Sequence, residues 1–247
     1  MKELIEGAGK LGIQLNARQV RQFERYYREL IEWNRRSNLT AITDYSLVQV
    51  KHFLDSLTVT QALPHEELER PDFSIADIGT GAGFPGVPLK ILFPQPRLVL
   101  LEPRAKKADF LHHIVHKLEL ENAEVLNTRA EEAAHLLPYR ERFALVLSRA
   151  VALLPALVEL TLPFCQIEGR LVAQKKGKID REMNRAHKAI AALGGNLQQI
   201  RQIELEEFDD VRYLVVIDKI SPTPSKYPGR PGIPKRRPIQ EVNRDVE

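Results

Sequence analysis

Three alternating glycines, Gly79, Gly81 and Gly83, lie in the stretch Asp77-Ile-Gly-Thr-Gly-Ala-Gly-Phe-Pro-Gly86 and make it the best-suited ligand cradle in this 247-residue sequence. Without a Cβ the backbone can turn sharply after a strand and approach a bound molecule closely. A helix that follows such a loop turns free N–H groups and its positive end toward polar or anionic parts of the ligand. Two cofactor types use this arrangement. Gly81-Ala-Gly83-Phe-Pro-Gly86 satisfies the dinucleotide pattern G-x-G-x-x-G, with Glu102 at a suitable distance downstream. Against a dinucleotide stand Pro85 and Pro88, rigid turns where its helix would begin, and Asp77 two residues before the first glycine. Glu102 ends the run Leu98-Val-Leu-Leu, and a carboxylate there suits a ribose diol, because it accepts two hydrogen bonds and donates none.

The elements that must position these residues follow a βα pattern. Strands are predicted at 73–78, 97–102, 123–127, 143–148, 169–174 and 213–218, with a more polar one near 198–205. Helices are predicted at 86–93, 106–118, 131–136, 154–164 and 179–193. Alternation of this kind implies right-handed crossovers and a mostly parallel sheet with helices on both faces. Ligands then bind beyond the carboxyl ends of the strands. The expected fold is therefore α/β, with a seven-stranded sheet and an N-terminal helical extension over residues 1–65. In that extension Asn16 and Gln19 form a capping box, and Val20, Phe23, Tyr27, Leu30 and Asn34 a stripe. A second helix fits 46–61, with Leu47, Val50, Leu54 and Leu57 on one face. At about 100° per residue His52 and Asp55 lie away from that stripe, on a polar side that would meet solvent.

The apolar content of 43% supports a sizeable core. The longest apolar run, 150–158, contains Pro155 and is too short to span a bilayer. The start carries no secretory pattern, and the lone Cys165 excludes a disulfide framework and a cysteine-rich zinc site. A cytoplasmic protein without membrane or metal is expected. The net charge of +3 resides in a tail, residues 221–247, with six basic residues against three acidic. Its six prolines in Ser-Pro-Thr-Pro-Ser-Lys-Tyr-Pro-Gly-Arg-Pro-Gly-Ile-Pro-Lys-Arg-Arg-Pro predict an extended arm that orders on a polyanionic partner.

Apolar-Asp-apolar-Gly-x-Gly-x-Gly resembles the first motif of class I Rossmann-like methyltransferases, which implies S-adenosylmethionine as cofactor, with Glu102 receiving its ribose. A nicotinamide oxidoreductase and a non-catalytic RNA-binding protein of the same fold are the alternatives. Enzymes that methylate exocyclic amines carry Asn/Asp-Pro-Pro-aromatic after the fourth strand, where this chain has Ser148-Arg149-Ala150. Pyrimidine-carbon methylation needs a cysteine nucleophile, and Cys165, in the apolar run Leu162-Pro-Phe-Cys-Gln-Ile, reads as a core residue. Guanine N7 has an exposed lone pair and no proton to remove. Positioning alone can supply about 7–11 kcal/mol of such a barrier.

Trp33-Asn-Arg-Arg-Ser-Asn-Leu-Thr40, His52-Phe-Leu-Asp-Ser56, the glycine loop, Ser148-Arg-Ala150 and Arg212-Tyr-Leu-Val-Val-Ile217 occur in the order found in one family. These blocks resemble the small-subunit rRNA guanine-N7 methyltransferases, formerly called glucose-inhibited division protein B. The resemblance spans about residues 10–220, dividing the chain into the extension, a cofactor-binding domain at 66–220 and the tail. It implies methylation of the guanine at position 527 of 16S rRNA, with the rRNA or small ribosomal subunit as partner of a monomeric enzyme. Asp77, Gly79, Gly81 and Phe84 of the loop, with Glu102, Pro103, Arg104, Ala130, Glu131 and Arg149, are the implied cofactor contacts. Arg149, His52 and Asp55 are substrate-side candidates, without an assigned catalytic acid or base. For His52 and Asp55 the resemblance leaves open a site role or a structural hydrogen bond. Lys175, Lys176, Arg212, Lys235, Arg236 and Arg237 are the candidates for RNA phosphate.

Overall fold

The computed structural model describes residues 1–239. Its centre is a seven-stranded sheet of β1 (Ser74–Ile78), β2 (Arg97–Leu101), β3 (Ala123–Leu126), β4 (Phe143–Arg149), β5 (Cys165–Lys176), β6 (Gly195–Ile203) and β7 (Arg212–Lys219). The order is β3-β2-β1-β4-β5-β7-β6. All strands run parallel except β7, which is antiparallel to both β5 and β6. The predicted strands recur close to their expected bounds; β5 alone is much longer, because its first half pairs with the start of β4 across a bulge.

Alternation along the strands sends successive side chains to opposite faces. Ile75, Leu98, Leu100, Leu145, Leu147 and Val216 enter one core, shared with the N-terminal helices, α6 (Gly86–Leu92) and α7 (Ala105–Lys117). Ala76, Ile78, Val99, Val146, Leu171 and Ile217 enter the other, under α8 (Ala130–Ala133), α9 (Leu154–Thr161) and α10 (Asp180–Ala192). The extension thus closes one face of the sheet and shares its core.

That extension starts with α1 (Lys2–Lys10) and α2 (Ala17–Ser37). The capping box at Asn16 forms as expected, with both reciprocal bonds present. On α2 Phe23 and Tyr26 are the buried aromatics, both packed on Phe53, whereas Tyr27 stays half-exposed against Tyr45. The expected single helix at 46–61 is a composite: α3 (Tyr45–Val48), a π-helical segment (Gln49–Leu54), α4 (Asp55–Leu57) and a 3₁₀ stretch (Thr58–Ala62). A π-turn bonds i to i+5 and adds a residue per turn, so the 100° phase fails here. Leu47 turns outward, and Asp55, expected in solvent, is buried. The short helix α5 (His65–Leu68) then leads to β1.

The tail also departs from expectation. Residues 221–239 lie against the body and include the short helix α11 (Ile233–Arg236). The Arg140 guanidinium donates to the carbonyls of Thr223 (2.9 Å), Pro224 (3.3 Å) and Tyr227 (2.9 Å). Glu141 accepts from the Thr223 amide at 2.7 Å, and Glu159 from the Gly229 amide at 2.9 Å. Proline removes donors from this segment, but its carbonyls remain, and the half-buried Arg140 of the body satisfies three of them. The final part of the predicted tail, 240–247, lies outside the described residues. Replacing Arg140 by Ala removes several charge-assisted bonds at once and is expected to destabilise the fold by roughly 1.5–3 kcal/mol, measured by urea unfolding.

Candidate active site

The glycine loop is shaped from below by Asp77. Its fully buried carboxylate accepts from the Thr80 hydroxyl at 2.6 Å and the Gly86 amide at 2.8 Å, both through Oδ2, which clips the two ends of the loop together. Burial pushes this carboxyl up to about 6. Its Oδ1 has no partner. Asp77 therefore positions the loop and does not line the cleft. Gly79 has φ +71, and a Cβ there would come within 2.6 Å of Val151. Gly83 has φ +99, and its Cβ would meet the Tyr26 hydroxyl, which donates to the Ala82 carbonyl. Both positions exclude a larger residue by backbone conformation and by space.

Above the loop opens a cleft of about 360 Å³, walled by Gly79, Gly81, Phe84, Glu102, Pro103 and Arg104, with Thr40, His52 and Arg149 at one side. A second cavity of about 120 Å³ adjoins it across Gly79 and Pro103 and reaches Ala130 and Glu131. Most of the residues expected at a cofactor thus line two neighbouring cavities, which share Gly79, Pro103, Val151 and Lys235, at the carboxyl ends of β1, β2 and β4. Glu102 accepts from the Gly81 amide (3.0 Å) through Oε2 and from the Arg104 amide (2.9 Å) through Oε1. Its orientation is fixed, and each oxygen keeps acceptor capacity toward a diol. Thr40, Lys107 and Val151 also line the cleft, although none of them is among the site candidates named from the sequence. Thr40 closes the block that begins at Trp33, and Asn34 of that block accepts the Thr40 amide at 2.9 Å.

His52 and Asp55 take different roles. The His52 ring stacks on Phe84 with centroids 4.7 Å apart. Its Nε2 meets the Thr40 hydroxyl at 2.8 Å and its Nδ1 the Lys51 carbonyl at 3.1 Å. The pair fits a neutral ring donating from Nδ1 and accepting at Nε2. Burial, reinforced by the Arg149 charge, lowers its pKa to about 4. Asp55 does not line the cleft. Its Oδ2 accepts from Arg149 Nη1 at 2.5 Å, and its Oδ1 lies 3.1 Å from Arg212 Nε, an ion pair without hydrogen-bond alignment. Gln174 of β5 donates to the Asp55 carbonyl. Asp55 thus ties the extension to β4, β5 and β7, and aims Arg149 over Phe84, 5.2 Å from the ring centre.

The family model described as "GidB: rRNA small subunit methyltransferase G" matches residues 19–209. Ribosomal RNA small subunit methyltransferase G of Dehalococcoides mccartyi is 50% identical over 97% of this chain and 100% of its own length. Its counterpart in Pelotomaculum thermopropionicum is 48% identical over 95% and 96%. The chain belongs to this rRNA methyltransferase family. Solved structures agree in fold at much lower identity. Geranyl diphosphate C-methyltransferase from Streptomyces coelicolor matches with TM-score 0.51 at 14% identity, over 79% of this chain and 98% of that one. MtNAS in complex with MTA and tNA matches with TM-score 0.53 at 13% identity, over 80% and 69%.

The family assignment disfavours a nicotinamide enzyme, and the local chemistry agrees with it. Cys165 sits fully buried at the start of β5, at the opposite end of the strands from the cleft, and burial pushes its thiol up to about 12. It is no nucleophile. Of the residues considered for RNA, Lys175 donates to the Ala152 carbonyl (2.9 Å) and Glu182 (2.8 Å), and Arg212 is buried against Asp55 and Asp210. Both hold the protein together. Lys176, Lys235, Arg236 and Arg237 are exposed. A groove of about 330 Å³ beside the cleft brings Lys235 together with Lys178, Arg181 and Arg185, which the sequence pattern did not mark. Their only sequence signal is i, i+4 spacing of Arg181 and Arg185 on α10. Among the described residues no group of His, Cys, Asp and Glu could hold a metal ion, and no helix is long and apolar enough to cross a membrane.

Removing Asp55 leaves the largely buried Arg149 guanidinium without its counter-charge and Arg212 with Asp210 alone. Asp55→Ala is therefore expected to destabilise by about 3–5 kcal/mol in chemical denaturation, and Asp55→Asn by less. For His52 the folded value lies below the ordinary 6.5, so the unfolded chain takes up the proton first. Its contribution is present above pH 6.5 and is lost as pH falls toward 4. Stability measured between about pH 7 and 4 should fall less steeply in His52→Gln than in the parent; parallel slopes would contradict a neutral His52.

Proposed function

We propose that this chain transfers the methyl group of S-adenosylmethionine to N7 of a guanine in small-subunit rRNA, the residue at position 527 of 16S rRNA. The observation that carries this reading is the pair of adjoining cavities, one lined by Arg149, His52, the glycine loop and Glu102, the other by Gly79, Ala130 and Glu131. The residues fit S-adenosylmethionine: a Cβ at Gly79 would intrude on the wall, Glu102 presents a fixed carboxylate for a diol, and Ala130 flanks a small, mostly apolar end pocket. When bound, that cofactor supplies an electrophilic methyl on a sulfonium.

The protein's own part is then orientation. His52 is held neutral and hydrogen-bonded on both nitrogens, so it is not poised to take a proton, and N7 has none to give. Methylation leaves the guanine ring cationic, and an imidazolium beside it would oppose that charge. Asp55 offsets the charge of Arg149 for the same reason, leaving its guanidinium plane to position a base or its phosphate. For the RNA strand the favoured path is the groove lined by Lys178, Arg181, Arg185 and Lys235, with the exposed Lys176, Arg236 and Arg237 near it in sequence.

Incubation with labelled S-adenosylmethionine and small-subunit rRNA or particles should label one guanine, and cleavage chemistry specific for 7-methylguanine should map it. Label on an exocyclic amine or a pyrimidine would refute the N7 assignment. Arg181→Glu with Arg185→Glu should weaken rRNA binding and reduce the slope of log K against log salt by about one for each phosphate no longer neutralised.

A further inference from the structure

The mouth of the cofactor site is built in part by the C-terminal strap, beyond residue 209 where the family match ends. Gly232 and Lys235 line the small cavity with Ala130 and Glu131, and Lys235 also lines the main cleft beside Glu102 and Arg149. We infer that residues 229–237 belong to the cofactor site: Gly232 and Lys235 cover bound S-adenosylmethionine and slow its escape. The inference rests on the methyltransferase reading and gives this basic, proline-rich arm a second role beside the RNA contacts of its outward cations.

Three contacts hold the strap in that place. The Gly232 amide donates to Glu131 Oε1 at 2.8 Å, so the carboxylate expected at the cofactor is engaged by the strap. The Gly229 amide donates to Glu159, which is buried in α9. Lys235 Nζ donates to the Val151 carbonyl at 3.1 Å, and the Val151 side chain packs on Gly79 of the glycine loop. Strap, Val151 and glycine loop therefore form one contact chain around the two cavities. The Lys235 ammonium is anchored on backbone at the rim. Its aliphatic stem is then the part available to shield the ligand, as long cationic side chains do when they bury their methylenes and keep the head wet. Gly232 has φ +80, which lets the chain turn back at the cavity wall.

The test compares S-adenosylmethionine binding, by calorimetry without RNA, in the full chain, in a chain ending at Pro228, and in Lys235→Ala and Lys235→Met. Ending at Pro228 keeps the anchors of Arg140, Glu141 and His135 on the strap, and a thermal melt reports whether that chain stays folded. We expect affinity to fall about tenfold or more on truncation and roughly threefold in Lys235→Ala, with Lys235→Met, which keeps the stem, close to the parent. If the truncated chain does not fold, the two full-length variants decide. Affinity within twofold of the parent in the folded truncation, or in Lys235→Ala when truncation unfolds the chain, overturns the inference. Unchanged S-adenosylmethionine affinity with rRNA binding lost in a parallel filter-binding assay would overturn the inference and return the strap to the role of an RNA arm. Failure of the full chain to bind S-adenosylmethionine would overturn the methyltransferase reading itself.

Discussion

The arrangement around the cleft depends on one buried carboxylate. Asp55 stands on a short helical turn of the extension and faces Arg149 from the end of β4 and Arg212 from the start of β7. Desolvating three charges is costly, and an apolar packing of the same volume would be as stable or more so. What the cluster supplies is location. It accepts one register of the extension against the sheet and one direction for the Arg149 side chain. The π-helical segment just before Asp55 serves the same end, since its wider turn brings His52 and Asp55 onto one inward side.

The second constraint lies beneath the loop. Asp77 Oδ2 serves two donors, Thr80 three residues onward and Gly86 nine residues onward, and closes the loop on itself. Phe84 is then pressed between Tyr26 and His52, with ring centroids 5.3 and 4.7 Å away. The extension and the glycine loop therefore build each other. Tyr26 binds the Ala82 carbonyl, His52 leans on Phe84, and the Lys51 carbonyl keeps the ring proton on His52 Nδ1 while the Thr40 hydroxyl meets Nε2. A cleft assembled this way presents fixed acceptors and flat faces, which suits a reaction needing alignment more than proton transfer.

The strap adds a third layer of the same logic. Its carbonyls are taken by Arg140 and its amides by Glu141, Glu159 and Glu131, so a segment poor in its own regular hydrogen bonds is ordered by the body. Three of those partners are acidic, and they receive main-chain amides where a charge count would have paired them with the basic side chains. The cations are thereby left exposed, and Lys235 among them lines the groove on α10. Composition measures how many charges a segment has; the fold decides which of them remain outward.

How far the sequence alone reached follows from the range of the interactions involved. Strand alternation, the capping box at Asn16, the glycine spacing and the buried Cys165 depend on neighbours within a few residues, and all were legible. So was the placing of Glu102 at a strand end, because parallel topology brings strand ends to one edge. Tertiary structure decided the rest. Asp55 and Lys175 sit on segments whose periodicity points outward or says nothing, and their partners are 94 residues away for Asp55 and, for Lys175, 7 and 23 residues away on other elements. Tyr26 supplants Tyr27 because the loop it meets lies 56 residues downstream. The strap's seat on Glu131 spans 101 residues. A sequence pattern reports the preferences of one element, whereas a buried charge or a docked tail is settled by the energy of a partner from elsewhere, and only the folded chain brings that partner into reach.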